Sequence, residues 1–493
     1  MKTHIEYPWL GHPHGVAPFA ALIGARVVAD DGTKLPIVLV DDAGQPIRLS
    51  PFVCLRELAR HVWLRLVTGG LRALAMILVP RRFSATPPAK AGPGPVVLVL
   101  PVLPDLSHTF IYREVLALLR QRPDWRVVVL ARNERAPVHA EARELLARAT
   151  FLRRGGITAA AWRATRWLLR PAGRALFARY RRGDLLGKLP LRDPRHPGNA
   201  FVLADQIAAL RPRHVHVYSS TYAANVALGA ATLLGVPASI SSYVDFEFPY
   251  AHKMLAAKLA QAAFFRVVTD YCRQRLLALP EAAGTSAERV PVVLLGLDLA
   301  NWQQRAASRG DGTIVTAARL VPKKGLHVVP EALALLRARG VRCRWRVIGD
   351  GPERESLQKA CAQRGVQDLV DFLGARDNGF VRSELLTADA ALLPCVIAAD
   401  GERDGIPVFL CEAMAFGVPV VTTPVSGIPE LVRDRDTGFL CAAGDSSSLA
   451  TVLAAVLADP AEAHRVGERG RTLVHRVLDV DTLASALVAR IEA

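Results

Sequence analysis

The sequence predicts an α/β protein of two doubly wound, parallel-sheet domains behind an N-terminal extension. Three observations carry this. Short continuous apolar runs alternate with amphipathic helical patterns, as parallel strands covered on both faces do. The runs form two series that meet near residue 298: 96–100, 127–130, 215–218, 238–241, 267–269 and 292–295, then 313–317, 345–348, 370–373, 390–393 and 418–422. A chain of 493 residues, 51% hydrophobic and 22% charged, has room for two or three folded domains. No internal repeat links the two series, so their similarity is architectural.

The expected domains are an extension at 1–93, a first sheet domain at 94–297 carrying an insertion at 151–198, and a second sheet domain at 298–493 whose last helix packs back on the first. In the extension, RVVADDGTKLPIVLVDDAGQPIRL reads as short strands broken by turn signals at Asp31-Gly32 and Ala43-Gly44. A helix follows at about 53–79, then the Pro/Ala/Gly-rich linker SATPPAKAGPGP. The stretch VWLRLVTGGLRALAMILV (62–79) holds Arg65, Arg72 and a Gly pair, which suits a buried or interfacial helix better than a membrane span.

The formal net charge of +17 calls for an anionic partner: nucleic acid, an acidic membrane surface or phosphorylated substrates. Charge alone does not choose among them. Cysteines at 54, 272, 343, 361, 395, 411 and 441 are odd in number and include no CxxC pair, as expected of buried free thiols in a reducing compartment. The start MKTHIEYPWLGHPHG lacks the basic-then-apolar pattern of a signal peptide. The expected location is therefore cytoplasmic.

The insertion at 151–198 contains twelve Arg/Lys and only two acids, Asp184 and Asp193. On a helical wheel Arg163, Arg166, Arg170 and Arg174 share one face, and Ile157, Ala161, Leu168, Ala172 and Leu176 the opposite one. Pro171 is expected to kink this helix. Trp162 and Trp167 fall between the faces, where indoles suit a water–lipid boundary. The pattern is that of a basic amphipathic helix on an anionic membrane, peripheral at the inner face of the cell membrane; an ordinary surface helix with a solvated Arg face is the alternative.

The chemistry-bearing residues lie in the second series. In TIVTAARLVPKKGLHVVPEALALL a strand ends, Arg319 follows, and Lys324-Gly325 comes just before a helix. Two cations at a strand–helix junction can grip a diphosphate, helped by helix N-terminal amides. Downstream, GERDGIPVFLCEAMAFGVPVVTTPVSGIPELV places Asp404 in a loop and Glu412 eight residues later, in a helix expected from about Val408 through Phe416. Gly405 admits a close backbone approach. Glu412 sits among apolar neighbours, and an unpaired buried acid is costly; a ligand partner, such as both hydroxyls of a ribose, accounts for it.

The order strand–ARLVPKKG–helix, VIGDGPERESL, FLGA, ADAALLP and DGIPVFLCEAMAFGVPVVTTPVSGIPELV resembles glycosyltransferase family 4, retaining enzymes of the GT-B fold, in its exopolysaccharide (colanic-acid-like) branch. The resemblance is strongest over 312–445 and continues upstream through SHTFIYREVLAL, HVHVYSS and VVLLGLDLANW. It implies two Rossmann-like domains facing across a cleft. It further implies that Arg319 and Lys324 hold the donor diphosphate, that Glu412 binds the donor ribose, and that Asp404, at the first acid of the Glu-x7-Glu motif, lies near the transferred sugar. Gly405, Ile406, Pro407 and Val408 then lie beside the sugar and phosphates, and Gly349, Asp350 and Gly351 near the nucleotide. Acceptor-side positions are Ser107, His108 and Thr109, with Tyr243 or Asp245 near the place of the family's N-domain His. The chain departs from the pattern in carrying Asp404 for Glu, with Glu402 nearby, and SSYVDFEFPY where that His is common.

The implied activity is transfer of a sugar from a nucleotide-diphosphate-sugar, with retention, onto a glycan or lipid-linked oligosaccharide, with no metal or cofactor. A catalytically inactive GT-B scaffold that binds nucleotide is the alternative. A nucleic-acid partner is not expected, because no nucleic-acid module is present and the Arg stripe is backed by an apolar face. His214 and His216 alternate on a strand without third ligands, so packing or cleft-lining roles are expected rather than metal binding.

Overall fold

A computed structural model of the chain describes residues 26–28, 34–36, 93–105, 108–133, 140–153, 157–182, 195–243, 247–299 and 310–493. The helix expected at 53–79, and with it Cys54, as well as Ser107 and Asp245, lie outside these residues. Arg26–Val28 (β1) pairs antiparallel with Lys34–Pro36 (β2), in keeping with short strands in the extension.

The first large sheet is built from β3 (Val96–Leu103), β4 (Arg126–Arg132), β5 (Ala149–Phe151), β6 (His214–Tyr218), β7 (Ala238–Ser242) and β8 (Phe265–Val267). All its pairings are parallel, in the order β5-β4-β3-β6-β7-β8. Strands β6 and β7 are buried at every position, as strands covered on both faces are. Between them run α1 (Thr109–Gln121), α2 (Ala140–Arg148), α3 (Ile157–Leu168), α4 (Pro171–Arg182), α5 (Arg195–Ala208), α6 (Tyr222–Leu234), α7 (Glu247–Gln261) and, after β8, α8 (Asp270–Leu277).

The second sheet comprises β9 (Thr313–Ala317), β10 (Arg344–Ile348), β11 (Val370–Gly374), β12 (Ala390–Leu393), β13 (Val420–Thr422) and β14 (Phe439–Leu440), again all parallel, in the order β11-β10-β9-β12-β13-β14. Its helices are α9 (Val329–Ala338), α10 (Arg354–Gln363), α11 (Asn378–Leu385), α12 (Val408–Ala415), α13 (Ser446–Ala458), α14 (Pro460–Val477) and α15 (Val480–Glu492). Both sheets therefore share one order, 3-2-1-4-5-6 in their own numbering, which is the dinucleotide-fold order.

The run 292–295 is not the strand expected. Only Val292 bridges to Val267. The carbonyls of Val293 and Leu294 instead accept from the Arg266 guanidinium, which also forms a two-pronged pair with Glu114 of α1 at 2.7 Å on each oxygen. Arg266 is fully buried, and this many acceptors is what allows a charge there. The chain crosses between sheets twice, and the crossings pair: Leu297 N–H donates to Leu478 O at 2.7 Å, and Val480 N–H to Leu297 O at 3.0 Å. Helix α15 then lies on α1, with Arg120 and Gln121 bonded to Asp481.

The basic insertion forms two helices rather than one kinked helix, in a compact unit separate from the one that holds both sheets. Pro171 opens α4, a position where its missing N–H costs nothing. Of the two indoles expected at the boundary between faces, Trp162 is 68% exposed, but Trp167 is buried under the Arg170 guanidinium.

His214 and His216 pack inside the first sheet. His214 Nε2 and His216 Nδ1 both lie 2.7 Å from Ser239 Oγ, and His216 Nε2 lies 2.9 Å from Ser241 Oγ. Burial pushes the His214 pKa down to about 4 and that of His216 well below its ordinary value. Both are depressed below the unfolded value, so their contribution to stability is complete above that value and is lost as pH falls toward the folded one. Going from pH 7 to pH 5 should cost about 2 kcal/mol for His214. The thermal midpoint should fall over this range, and His214→Gln should flatten the fall; an equally steep profile in the variant would refute the assignment.

Candidate active site

In an open parallel sheet, ligands bind at the carboxyl ends of the strands where the strand order reverses. In the second sheet that point lies between β9 and β12. The loops leaving these two strands are stitched together. Val396 N–H donates to Lys323 O at 3.0 Å, and a Cβ at Gly325 would stand 1.9 Å from Pro394 O. Gly325 also has φ +67°, so glycine is required there on both counts. The loop after β10 joins them: Leu320 N–H donates to Asp350 O at 2.9 Å and Glu353 N–H to Leu320 O at 3.1 Å. A Cβ at Gly349 would meet Ala318 O at 1.9 Å.

This stitching brings the acid and base of the site together. Lys324 Nζ donates to Asp404 Oδ2 at 2.6 Å; Lys323 Nζ lies 3.7 Å from Asp404 Oδ1 and 3.4 Å from Glu402. The Cys395 thiol points at the same Asp404 oxygen from 3.8 Å, and burial together with that carboxylate pushes its pKa up. Arg319 is exposed and makes no side-chain hydrogen bond or ion pair among the described residues, so its guanidinium is open to an anion. Lys324 does not sit directly at an α-helix start: it ends one 3-10 turn (Pro322–Lys324), a second (Leu326–Val328) follows, and α9 begins at Val329. The free helix terminus is that of α12. Gly405 and Ile406 lead into it, Pro407 occupies its N-cap with no side-chain hydrogen bond, and Val408 is its first residue. Leu410 N–H and Cys411 N–H donate to Pro407 O at 3.0 and 3.4 Å, which leaves the Val408 and Phe409 amides for an outside acceptor.

Glu412, one turn into α12, has a protein partner where a ligand was expected. Arg113 Nη2 of α1 donates to Glu412 Oε1 at 3.0 Å, and Arg113 Nε to Glu141 at 3.3 Å. Both members of the Arg113–Glu412 pair are buried. Burial opposes the Arg113 charge, but the two carboxylates outweigh it and hold its pKa above the ordinary value. A second tie joins the sheets: the Glu430 carboxylate accepts from the Asp270 and Tyr271 amides at 2.9 and 2.8 Å, capping α8. Sequence reasoning missed Arg113, Glu430, Lys323 and Cys395. Arg113 carried a signal, because it is a charge inside the apolar helix TFIYREVLALL.

On the first sheet, His108 occupies the N-cap position of α1, with no side-chain capping bond, and Thr109 opens the helix. Tyr243 is buried, packed against Phe110 at 4.9 Å and under Arg266, so its ring belongs to the core more than to an open acceptor surface. Asp350 is engaged locally, accepting from Gly351 N–H at 2.8 Å and from Arg354 at 3.0 Å. The six described cysteines are buried free thiols. Among the described residues, no group of three His, Cys, Asp or Glu could hold a metal, and no helix is long and apolar enough to cross a membrane.

Residues 300–473 match the family model of glycosyl transferases group 1. The chain is 38% identical over 213 residues to the putative colanic acid biosynthesis glycosyltransferase WcaL of Escherichia coli K12, covering 43% of this chain and 52% of that protein. It is also 38% identical over 174 residues to the amylovoran biosynthesis glycosyltransferase AmsK of Erwinia amylovora, covering 35% and 43%. The chain thus spans about half the length of the curated relatives it matches. In structure it resembles Anabaena Alr3699/HepE in complex with UDP-glucose, with a TM-score of 0.60 and 16% identity over 80% of this chain and 99% of that one. The fold is the GT-B arrangement of two Rossmann-like domains that the sequence predicts.

Replacing Gly325 with Ala should shift both stitched loops. The positive φ alone costs about 1–2 kcal/mol, and the clash with Pro394 O adds to it. The thermal midpoint should drop by several degrees; an unchanged midpoint would mean the loops are not held as described.

Proposed function

We propose that this protein is a glycosyltransferase that takes a sugar from a nucleotide-diphosphate-sugar with retention of configuration. The observation that carries the reading is the convergence, at the reversal point of the second sheet, of open Arg319, the Lys324–Asp404 pair, the free N-terminus of α12 and Glu412. The group 1 match over the same residues supports it, as does the shared fold with a protein solved with UDP-glucose.

In this reading the bond from the anomeric carbon to the diphosphate oxygen breaks while a bond from that carbon to an acceptor hydroxyl oxygen forms. The electron pair leaves with the phosphate, and the acceptor proton passes to the departing phosphate oxygen. Negative charge grows where Arg319, Lys324 and the α12 amides can meet it, so these groups bind the transition state more tightly than the ground state. Asp404 holds Lys324 in place and lies beside the sugar; its shorter side chain is matched to the Lys324 contact at 2.6 Å. Glu412 accepts from the ribose hydroxyls. Gly349 and Gly351 let the loop after β10 pack directly on the carbonyls of Ala318 and Leu320, which sets that loop beside the nucleotide. No metal is required, since the leaving charge is met by fixed cations and amides. His108 and Thr109, at the start of α1, face the acceptor in this reading.

The acceptor is a glycan or lipid-linked oligosaccharide of exopolysaccharide synthesis, reached at the inner face of the cell membrane. Supporting this, the α3–α4 pair exposes Trp162 and Leu169, at 68% and 63%, beside exposed Arg166 and Arg170. Apolar tips among arginines suit an anionic lipid surface.

A panel of UDP-, GDP- and ADP-sugars, with membrane extract as acceptor source, should give nucleotide release from one donor, unchanged by EDTA. Arg319→Ala or Lys324→Ala should lower turnover about 100- to 1000-fold. Release from no donor would shift the reading to a nucleotide-binding scaffold. Separately, the protein should sediment with anionic vesicles at low salt and detach at high salt, and Trp162→Ser with Leu169→Ser should weaken that binding. Failure to bind at low salt would favour a soluble acceptor.

A further inference from the structure

The Arg113 guanidinium is held by carboxylates from two different elements. Its Nε meets Glu141 of α2 and its Nη2 meets Glu412 of α12, which lies 299 residues further along the chain. These two contacts set the plane of the guanidinium. The third arm, Nη1, is buried and has no hydrogen-bond partner. Arg113 as a whole is 4% exposed. A buried charged donor left without an acceptor is costly, and such groups are rare unless something else uses them. The open arm belongs to the same rigid fork that touches Glu412, so whatever fills it also lies next to Glu412. Neither Arg113 nor Glu412 can move freely to satisfy it: Glu412 is fixed in a helix whose residues from Phe409 to Ala415 are all buried.

We propose that Arg113 is a positioning residue of the donor site: it orients the Glu412 carboxylate from the opposite sheet, and its open Nη1–H is taken up by an oxygen of the bound nucleoside diphosphate. This rests on the nucleotide-sugar reading given above. Glu412 then offers its remaining acceptor capacity to the ribose while Arg113 keeps it aimed. The donor site is thereby completed by both sheets, although the family match covers only residues of the second. A lysine at 113 would keep a charge near Glu412 but, as a single ammonium without a planar fork, could not meet Glu412, Glu141 and the nucleotide together.

The test is calorimetric titration of the full chain with UDP, GDP and ADP, paired with thermal midpoints, for the wild type, Arg113→Lys and Arg113→Met. The expected result is a midpoint near that of the wild type for Arg113→Lys with nucleotide binding weakened roughly tenfold or more. Should Arg113→Met not fold, Arg113→Lys alone decides. Wild-type affinity in the variants would overturn the proposal while leaving the nucleotide reading intact. Weakened binding seen only together with a lowered midpoint would also overturn it, since a merely structural ion pair predicts that. A wild type that binds none of the three nucleotides would remove the donor-site reading itself, and this inference with it.

Discussion

Two adjacent charges in α1 tie this molecule together. Arg113 and Glu114 are both buried in a helix otherwise composed of apolar residues on its packed face. Glu114 is matched within its own domain by Arg266, and Arg113 is matched across the sheets by Glu412. Breaking a buried pair by removing one member costs about 3–5 kcal/mol, because the other charge is stranded. Helix α1 can therefore occupy one place only: between the carbonyls at 293 and 294 that Arg266 grips, the α12 helix that Arg113 reaches, and α15, which lies along it. An apolar helix could slide; one carrying two opposite charges with fixed partners cannot.

The same economy shapes the second sheet. Its strand order opens a crevice, but a crevice alone positions nothing. The positions come from backbone contacts too close for any side chain, at Gly325 against Pro394 and at Gly349 against Ala318. These draw three loops into one layer, and the layer presents Arg319 outward while Lys324 is turned inward onto Asp404. The division of labour follows from burial. The half-buried lysine needs a carboxylate when no anion is present, whereas the exposed arginine is satisfied by water.

Much of this was legible in the sequence, for identifiable reasons. The strands Thr313–Ala317 and Ala390–Leu393 appear where expected because central parallel strands are continuous apolar runs, and no other local signal competes. Edge strands β5 and β14, three and two residues long, are too short to leave a pattern. The run 292–295 is equally apolar yet is no strand, because its carbonyls are spent on Arg266 rather than on a ladder. The helix at α12 and the placing of Glu412 in it followed from the apolar stretch after Gly405-Ile406-Pro407. The partner of Glu412 did not, since a contact spanning 299 residues has no local period. The cost of an unpaired buried acid pointed correctly to the need for a partner, and a cation from the other domain is what answers it.

The joint between the sheets and the ties across them are of different kinds, and the difference has a consequence. At Leu297 and Leu478–Val480 the two crossings are covalent chain, paired by neutral backbone bonds that no polar ligand can compete for. At Arg113–Glu412 and at Glu430 with the α8 amides, the ties are charged, and each uses a group that also suits a ligand: a guanidinium, a carboxylate, a helix terminus. A ligand shifts an arrangement only by binding its alternatives unequally. An anion beside Arg113, or hydroxyls beside Glu412, would change the energy of that tie directly, whereas the backbone bonds at Leu297 offer a polar ligand nothing to displace.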